Sequence, residues 1–156
     1  MVLDQFRRSI GGMMIVKKWR WVNFSCEQMY DLVNDIDQYD KFLPYCSKST
    51  VLYRDNDNLR ATLVITAAGI SKSFTTLNRL HTNKMIEIGL INGPFSHLQG
   101  LWHFDDVDSG CKITFDLEFE FTSRMLAMLL GPMFEQVTNK MVDAFCERAQ
   151  VLYDKR

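Results

Sequence analysis

From residue 15 onward the chain changes its hydrophobic period twice. Positions 15–24 carry Val, Trp and Phe with basic residues between them, which predicts a first strand. Ser25 is a candidate N-cap, and Gln28, three residues on, completes a capping box. Met29, Leu32, Val33 and Ile36 then recur at helical spacing, so a short helix with one apolar face follows. Asp35 and Asp37 loosen it, and Tyr39, Phe42 and Leu43 form a second short turn. Leu43–Pro44 ends that turn, because the residue before proline avoids the α region. Over residues 47–121 the period becomes two. Six strands are expected, at 49–54, 59–67, 71–81, 85–91, 97–105 and 112–121. Turn residues separate them, among them Asp55, Asn56, Gly69, Asn83, Gly93, Pro94 and Gly110. The last strand alternates most cleanly. Ile113, Phe115, Leu117, Phe119 and Phe121 face one way, and Lys112, Thr114, Asp116, Glu118 and Glu120 the other.

From residue 123 the helical period returns. Leu126, Leu130, Phe134, Val137, Met141, Phe145 and Leu152 form an apolar stripe that extends to residue 153. Pro132 is expected to kink or restart this helix, since it lacks a backbone donor. A sheet with one dry face must cover it, and the terminal helix is the one element long enough. The fold class is therefore α+β: a curved antiparallel sheet of about six to seven strands wrapped around a long C-terminal helix, with two short helices after the first strand. Residues 1–13 read as an N-terminal extension and residues 14–156 as one domain.

Composition narrows the function classes. The chain has 156 residues, 47% hydrophobic and 24% charged, which excludes a disordered chain. Lys and Arg total 18 against 19 Asp and Glu, a net charge of -1. A protein built to grip DNA needs a basic surface, so no DNA partner is expected. The basic cluster Lys17, Lys18 and Arg20, with Arg7 and Arg8, reads as a solvated strand face or as a contact for ribosomal RNA or anionic lipid. No run approaches the ~20 apolar residues of a membrane span, and no signal peptide is evident, so a cytoplasmic location is expected. The four cysteines, at 26, 46, 111 and 146, lack C-x-x-C spacing, so no metal is expected and they read as reduced structural thiols.

Catalytic chemistry finds little support in the pattern, and no catalytic residue is assigned. There is no G-x-S-x-G, H-E-x-x-H, P-loop or dinucleotide fingerprint. Tyr30, His81 and His103 are the candidate acid–base groups for a cyclase-like enzyme, and Asp116, Glu118 and Glu120 read as a solvated row. Binding finds more. Nine Met, eleven Phe, three Trp and five Tyr are many for a small domain, and Met adapts to irregular apolar spaces. A helix across a curved sheet leaves a cleft for which Phe74, Trp102, Phe104, Phe115 and Phe119 are candidates on strands, and Met133, Val137 and Met141 on the helix. The alternative is that all of them simply make the core. Residues 125–134 read either as core helix or as an apolar lid hinged at Gly131–Pro132 for membrane or protein contact.

Several motifs, in order, resemble one known family. They are EQMYDLVNDIDQYDKFLPYC (27–46), AGISKSFTTLN (68–78), NGPFSHLQGLWHF (92–104), FDLEFEFTSRML (115–126) and MVDAFCERAQVLY (141–153). This is the pattern of the bacterial ribosome-association toxins and mitochondrial coenzyme Q-binding proteins, within the START-like, polyketide-cyclase group. The likeness spans residues 14–155, which makes Met13 or Met14 a candidate start. It implies a helix-grip fold with a hydrophobic cavity, no required cofactor and no enzymatic activity. The implied partners are ubiquinone or another isoprenoid lipid in support of respiration, or the large ribosomal subunit, whose joining to the small one would be blocked. Peripheral membrane contact is a further expectation. The motif positions and candidates together give the expected pocket or gate: Leu43, Phe74, Phe95, Trp102, Phe104, Phe115, Met133, Val137 and Met141.

Overall fold

A computed structural model of the protein describes the backbone of residues 2–8 and the whole of residues 12–154. Residues 1, 9–11 and 155–156 lie outside the described residues. Eight antiparallel strands form one sheet in the order β1-β2-β8-β7-β6-β5-β4-β3. The strands are β1 Val2–Arg8, β2 Met14–Val22, β3 Cys46–Arg54, β4 Asn58–Ala67, β5 Ile70–His81, β6 Met85–Asn92, β7 Phe95–Val107 and β8 Gly110–Phe121. Seven of them belong to the stretch whose alternation announces them. The eighth comes from the extension: Val2–Arg8 pairs along β2, with Phe6 opposite Val16, at the sheet edge. Because β2 also pairs with β8, the first and last strands of the domain are neighbours.

Local chemistry fixes the crossing between β2 and β3. The Ser25 hydroxyl accepts from the Gln28 N–H and the Gln28 side chain accepts from the Ser25 N–H, both at 3.0 Å. This reciprocal cap starts α1, Cys26–Asn34, and buries Met29, Leu32 and Val33. The helix ends at Asp35 and a 3-10 helix, Ile36–Lys41, follows, so Ile36 begins that second element rather than ending the first. The buried Tyr39 hydroxyl donates to the Val33 carbonyl and ties the two helices together.

The sheet curves because its register shifts. Extra residues fall between Cys46 and Lys48 and between Val51 and Tyr53 on β3, between Leu90 and Asn92 on β6, and between Phe95 and His97 on β7. Each such bulge bends its strand and raises the local twist. One long helix, α2, Arg124–Tyr153, lies in the resulting concavity, capped by Ser123, whose hydroxyl accepts from the Leu126 N–H at 3.1 Å. It runs unbroken through Pro132. The carbonyl that proline leaves unpaired is that of Met128, on the side of the helix where Met125, Met128 and Leu129 are 71%, 79% and 57% exposed. The expected stripe is corrected at its end: Leu152 is exposed, while Ala149 is buried and the Tyr153 hydroxyl donates to the Gln28 carbonyl at 3.2 Å.

Alternation also splits the basic cluster of β2. Lys17 is exposed, whereas Lys18 is buried on the concave side and Arg20 is bonded to Asp143 of α2 at 2.7 Å. The expectation of four reduced thiols is corrected as well. Cys26 at the start of α1 and Cys111 at the start of β8 are 5.1 Å apart at Cα and joined as a disulfide, while Cys46 and Cys146 are free and buried.

Two predictions follow from this packing. Phe145 has no exposed surface and meets Tyr39, Phe42 and Trp102 at 5.0, 5.2 and 5.3 Å between ring centroids. Phe145→Ala is expected to lower stability by ~3–5 kcal/mol, read from the urea midpoint at constant slope. Burial pushes the thiols of Cys46 and Cys146 up to about 11, from an ordinary value of 9.0. Between those values the unfolded chain has released protons that the folded chain keeps, so stability falls as pH rises from 9 to about 11. The share of that fall due to the thiols should vanish in the Cys46→Ala, Cys146→Ala double variant. An unchanged alkaline slope would show that these two groups do not contribute.

Candidate functional site

α2 bears on the sheet through two groups of rings. Near the start of α2, Phe134 meets Phe119 at 4.7 Å, Phe95 at 5.0 Å and Phe74 at 5.9 Å. Further along, Phe145 stands against Trp102, Phe42 and Tyr39, and Trp102 lies 4.4 Å from Phe115. Between the two groups the facing side chains are smaller: Ala61, Leu63, Ile88 and Leu117 from the sheet, and Val137, Thr138 and Met141 from the helix. A cavity remains there. Water centres have ≈ 70 Å³ in which to sit, several times the ~10–15 Å³ that a single buried water requires.

Of the residues singled out from sequence, Leu43, Phe74, Trp102, Phe115, Val137 and Met141 line this cavity. Phe95, Phe104 and Met133 do not. Phe95 packs behind Phe74 and Phe134, with rings at 5.8 and 5.0 Å. Phe104 stands one step beyond Trp102, against Tyr30 at 5.7 Å. Met133 is partly buried against the core one residue before the lining Phe134. Phe119, the other ring considered, belongs to the first ring group and is fully buried.

The sequence reading missed the polar part of the wall. Thr76 and Asn78 on β5 are 9% and 5% exposed and both line the cavity. The Thr76 hydroxyl donates to Asn78 Oδ1 at 3.0 Å. Tyr39 and Thr138 also line it, but their protons are committed: Tyr39 to the Val33 carbonyl, and Thr138 to the Phe134 and Glu135 carbonyls at 3.1 Å each. The available signal was the alternation Phe74, Thr76, Asn78, Leu80, which puts two polar residues on a dry face.

No Asp, Glu, His, Lys or Arg lines the cavity. The three candidate acid–base groups lie elsewhere. His81 pairs with Glu87 at 2.8 Å and His103 stands 3.9 Å from Asp105, both pairs about half exposed. His97 likewise pairs with Glu118 at 3.0 Å, within the wet row of β8. Tyr30 is buried against Phe104, and burial raises its hydroxyl pKa further above the ordinary phenol value. Tyr39 is fully buried, which likewise raises its pKa and keeps it neutral. The cavity wall thus offers shape, desolvation and neutral hydrogen bonds. Among the described residues no three His, Cys, Asp or Glu gather as metal ligands, and no helix is long and apolar enough to cross a membrane.

Residues 22–146 match the family model described as polyketide cyclase / dehydrase and lipid transport. The ribosome association toxin RatA of Vibrio cholerae is 44% identical over 133 residues, covering 85% of this chain and 92% of its own. The mitochondrial coenzyme Q-binding protein COQ10 of Drosophila melanogaster is 26% identical over 145 residues, covering 86% of this chain and 60% of its own. Among solved structures, the Zhui aromatase/cyclase of Streptomyces sp. R1128 superposes with a TM-score of 0.78 at 15% identity, over 91% of this chain and 98% of that one. At that identity the superposition speaks for the fold alone. A match to the family model over residues 22–146, with a RatA relative 44% identical along 92% of its own length, makes the chain a member of the polyketide cyclase / dehydrase and lipid transport family, grouped with the RatA proteins.

Proposed function

We propose that this protein acts in the cytoplasm as a non-enzymatic carrier of an apolar ligand, an isoprenoid quinone such as ubiquinone, and so supports respiration. The cavity between the ring groups carries the proposal, since its wall is apolar, buried and free of ionised groups. Each methylene moved from water into such a site is worth ~0.8 kcal/mol, so a ring with a few prenyl carbons gains useful affinity. The coenzyme Q-binding name of the Drosophila relative supports the choice of a quinone. Absence of a charged acid–base pair from the wall supports binding over turnover.

The bacterial relatives are named ribosome association toxins, which favours a second reading; we take it in the form the motif resemblance implies, association with the large ribosomal subunit and inhibition of subunit joining. Overexpression tests it on a sucrose gradient. Accumulation of free subunits at the expense of intact ribosomes is expected, and an unchanged profile at high expression would remove this role.

The carrier reading predicts that protein purified from a quinone-producing host releases isoprenoid quinone on organic extraction, measured by mass spectrometry. Val137 is 2% exposed and faces the cavity from α2. Val137→Trp should fill the space and reduce the extracted quinone several-fold while the far-ultraviolet circular dichroism stays that of a folded protein. Unchanged quinone content in a folded variant would place the ligand elsewhere.

A further inference from the structure

The hydrogen-bonding groups of the cavity are unequally used, and the inequality specifies the head group of its ligand. Thr76 spends its proton on Asn78 Oδ1. That bond leaves the other end of the carboxamide, a pair of N–H donors, and among the described residues no acceptor pairs with it. Trp102 repeats the pattern. It is 2% exposed, lines the same cavity, and its indole N–H has no acceptor among the described residues. Every hydroxyl proton in the wall is committed, those of Tyr39 and Thr138 to backbone carbonyls. The residues of the wall therefore hold two unspent donor groups, and no ionised side chain is among them.

We infer that Asn78, held by Thr76, is the specificity-determining residue of this cavity, donating a hydrogen bond to a neutral carbonyl oxygen of the ligand, with the Trp102 N–H as second donor. The inference rests on the reading of the cavity as a ligand site and narrows it to one chemical class. A carboxylate or an ammonium would enter without a counter-charge and is excluded by desolvation. A pure hydrocarbon would fill the space but leave both donors unpaired, which is the arrangement a binding site discriminates against most strongly. A cyclic ketone or quinone satisfies donors and apolar wall together. Thr76 acts as a positioning residue: by occupying Oδ1 it fixes which end of the carboxamide is offered.

The test compares two probes of nearly equal shape, 2,3-dimethyl-1,4-naphthoquinone and 2,3-dimethylnaphthalene, by equilibrium dialysis against the full chain. The 2,3-dimethyl pattern blocks addition of thiols to the quinone ring. In the wild type the quinone should bind about tenfold more tightly than the hydrocarbon, the scale of one good hydrogen bond. In Asn78→Leu this ratio should fall several-fold while binding of the hydrocarbon is retained. A ratio unmoved by Asn78→Leu overturns the assignment of Asn78 and leaves the ligand site standing. Failure of both probes to bind the wild type overturns the ligand site and the assignment with it. An infrared measurement on the wild type does not depend on how the variant folds. The carbonyl stretch of the bound quinone should move to lower wavenumber than in hexane, and an unmoved band overturns the proposed hydrogen bond.

Discussion

Everything in this molecule depends on how one helix covers the concave face of one sheet. That face carries the dry half of β8, from Ile113 to Phe121, together with the inward residues of its neighbours. α1 and the 3-10 helix add Val33, Ile36 and Tyr39 to its cover. Large rings meet α2 at two levels, around Phe134 and around Phe145, and these contacts set the separation of helix and sheet. At the level between them the register lines up Leu59, Asn78, Ile88, Gly100, Leu117 and Val16 across the strands. Aliphatic and small side chains cannot span a gap propped open by rings on both sides. The cavity is the consequence of that size sequence along the sheet.

Much of the frame was legible because it rests on period and capping. β8 alternates without a break, Ser25 and Gln28 form the cap that their spacing announces, and the α2 stripe is right from Leu126 to Phe145. What period does not carry is level. Alternation says that Phe104 and Phe115 face inward, and the bulge between Phe95 and His97 turns Phe95 inward as well, but only the register with neighbouring strands says that Phe115 stands beside the empty space while the other two stand beyond it. The same limit hid the polar wall, since Thr76 and Asn78 interrupt an apolar face and read as noise until Thr76 is seen to bond Asn78. Strict alternation dismantled the Lys17, Lys18 and Arg20 cluster, because adjacent residues of a strand cannot share a face. The Cys26–Cys111 pair was invisible for another reason: its partners are separated by 85 residues of chain, and only the folded sheet brings them together.

Charge and cavity are kept apart, which bears on what the site can do. Each of the three histidines has a carboxylate beside it, at 2.8 to 3.9 Å, and every one of these pairs is substantially exposed. Exposed pairs of this kind contribute little, ~0–1 kcal/mol. None presents a proton to the cavity. A site that moves protons needs groups poised between two charge states within reach of the substrate. This wall has neutral donors and hydroxyls instead, with Tyr39 held neutral by burial. On the proposed reading its chemistry is that of holding and choosing a ligand.

The size of the cavity adds a constraint on how a ligand gets in. Space for a few water centres, ≈ 70 Å³, is less than a quinone ring with a prenyl tail displaces, and protein interiors do not yield uniformly. The fold gives way where it has least to lose. In the first half of α2 the rings around Phe134 are the main anchor. Met125, Met128 and Leu129 there point to solvent, a Cβ added at Gly131 would meet open space, and Pro132 has already removed one bond of the helix ladder. The second half is pinned by Phe145 among three rings, by Arg20 on Asp143 and by Tyr153 on Gln28. A ligand that enlarged the cavity by separating Phe134 from Phe74 and Phe95 would leave these anchors of the second half intact.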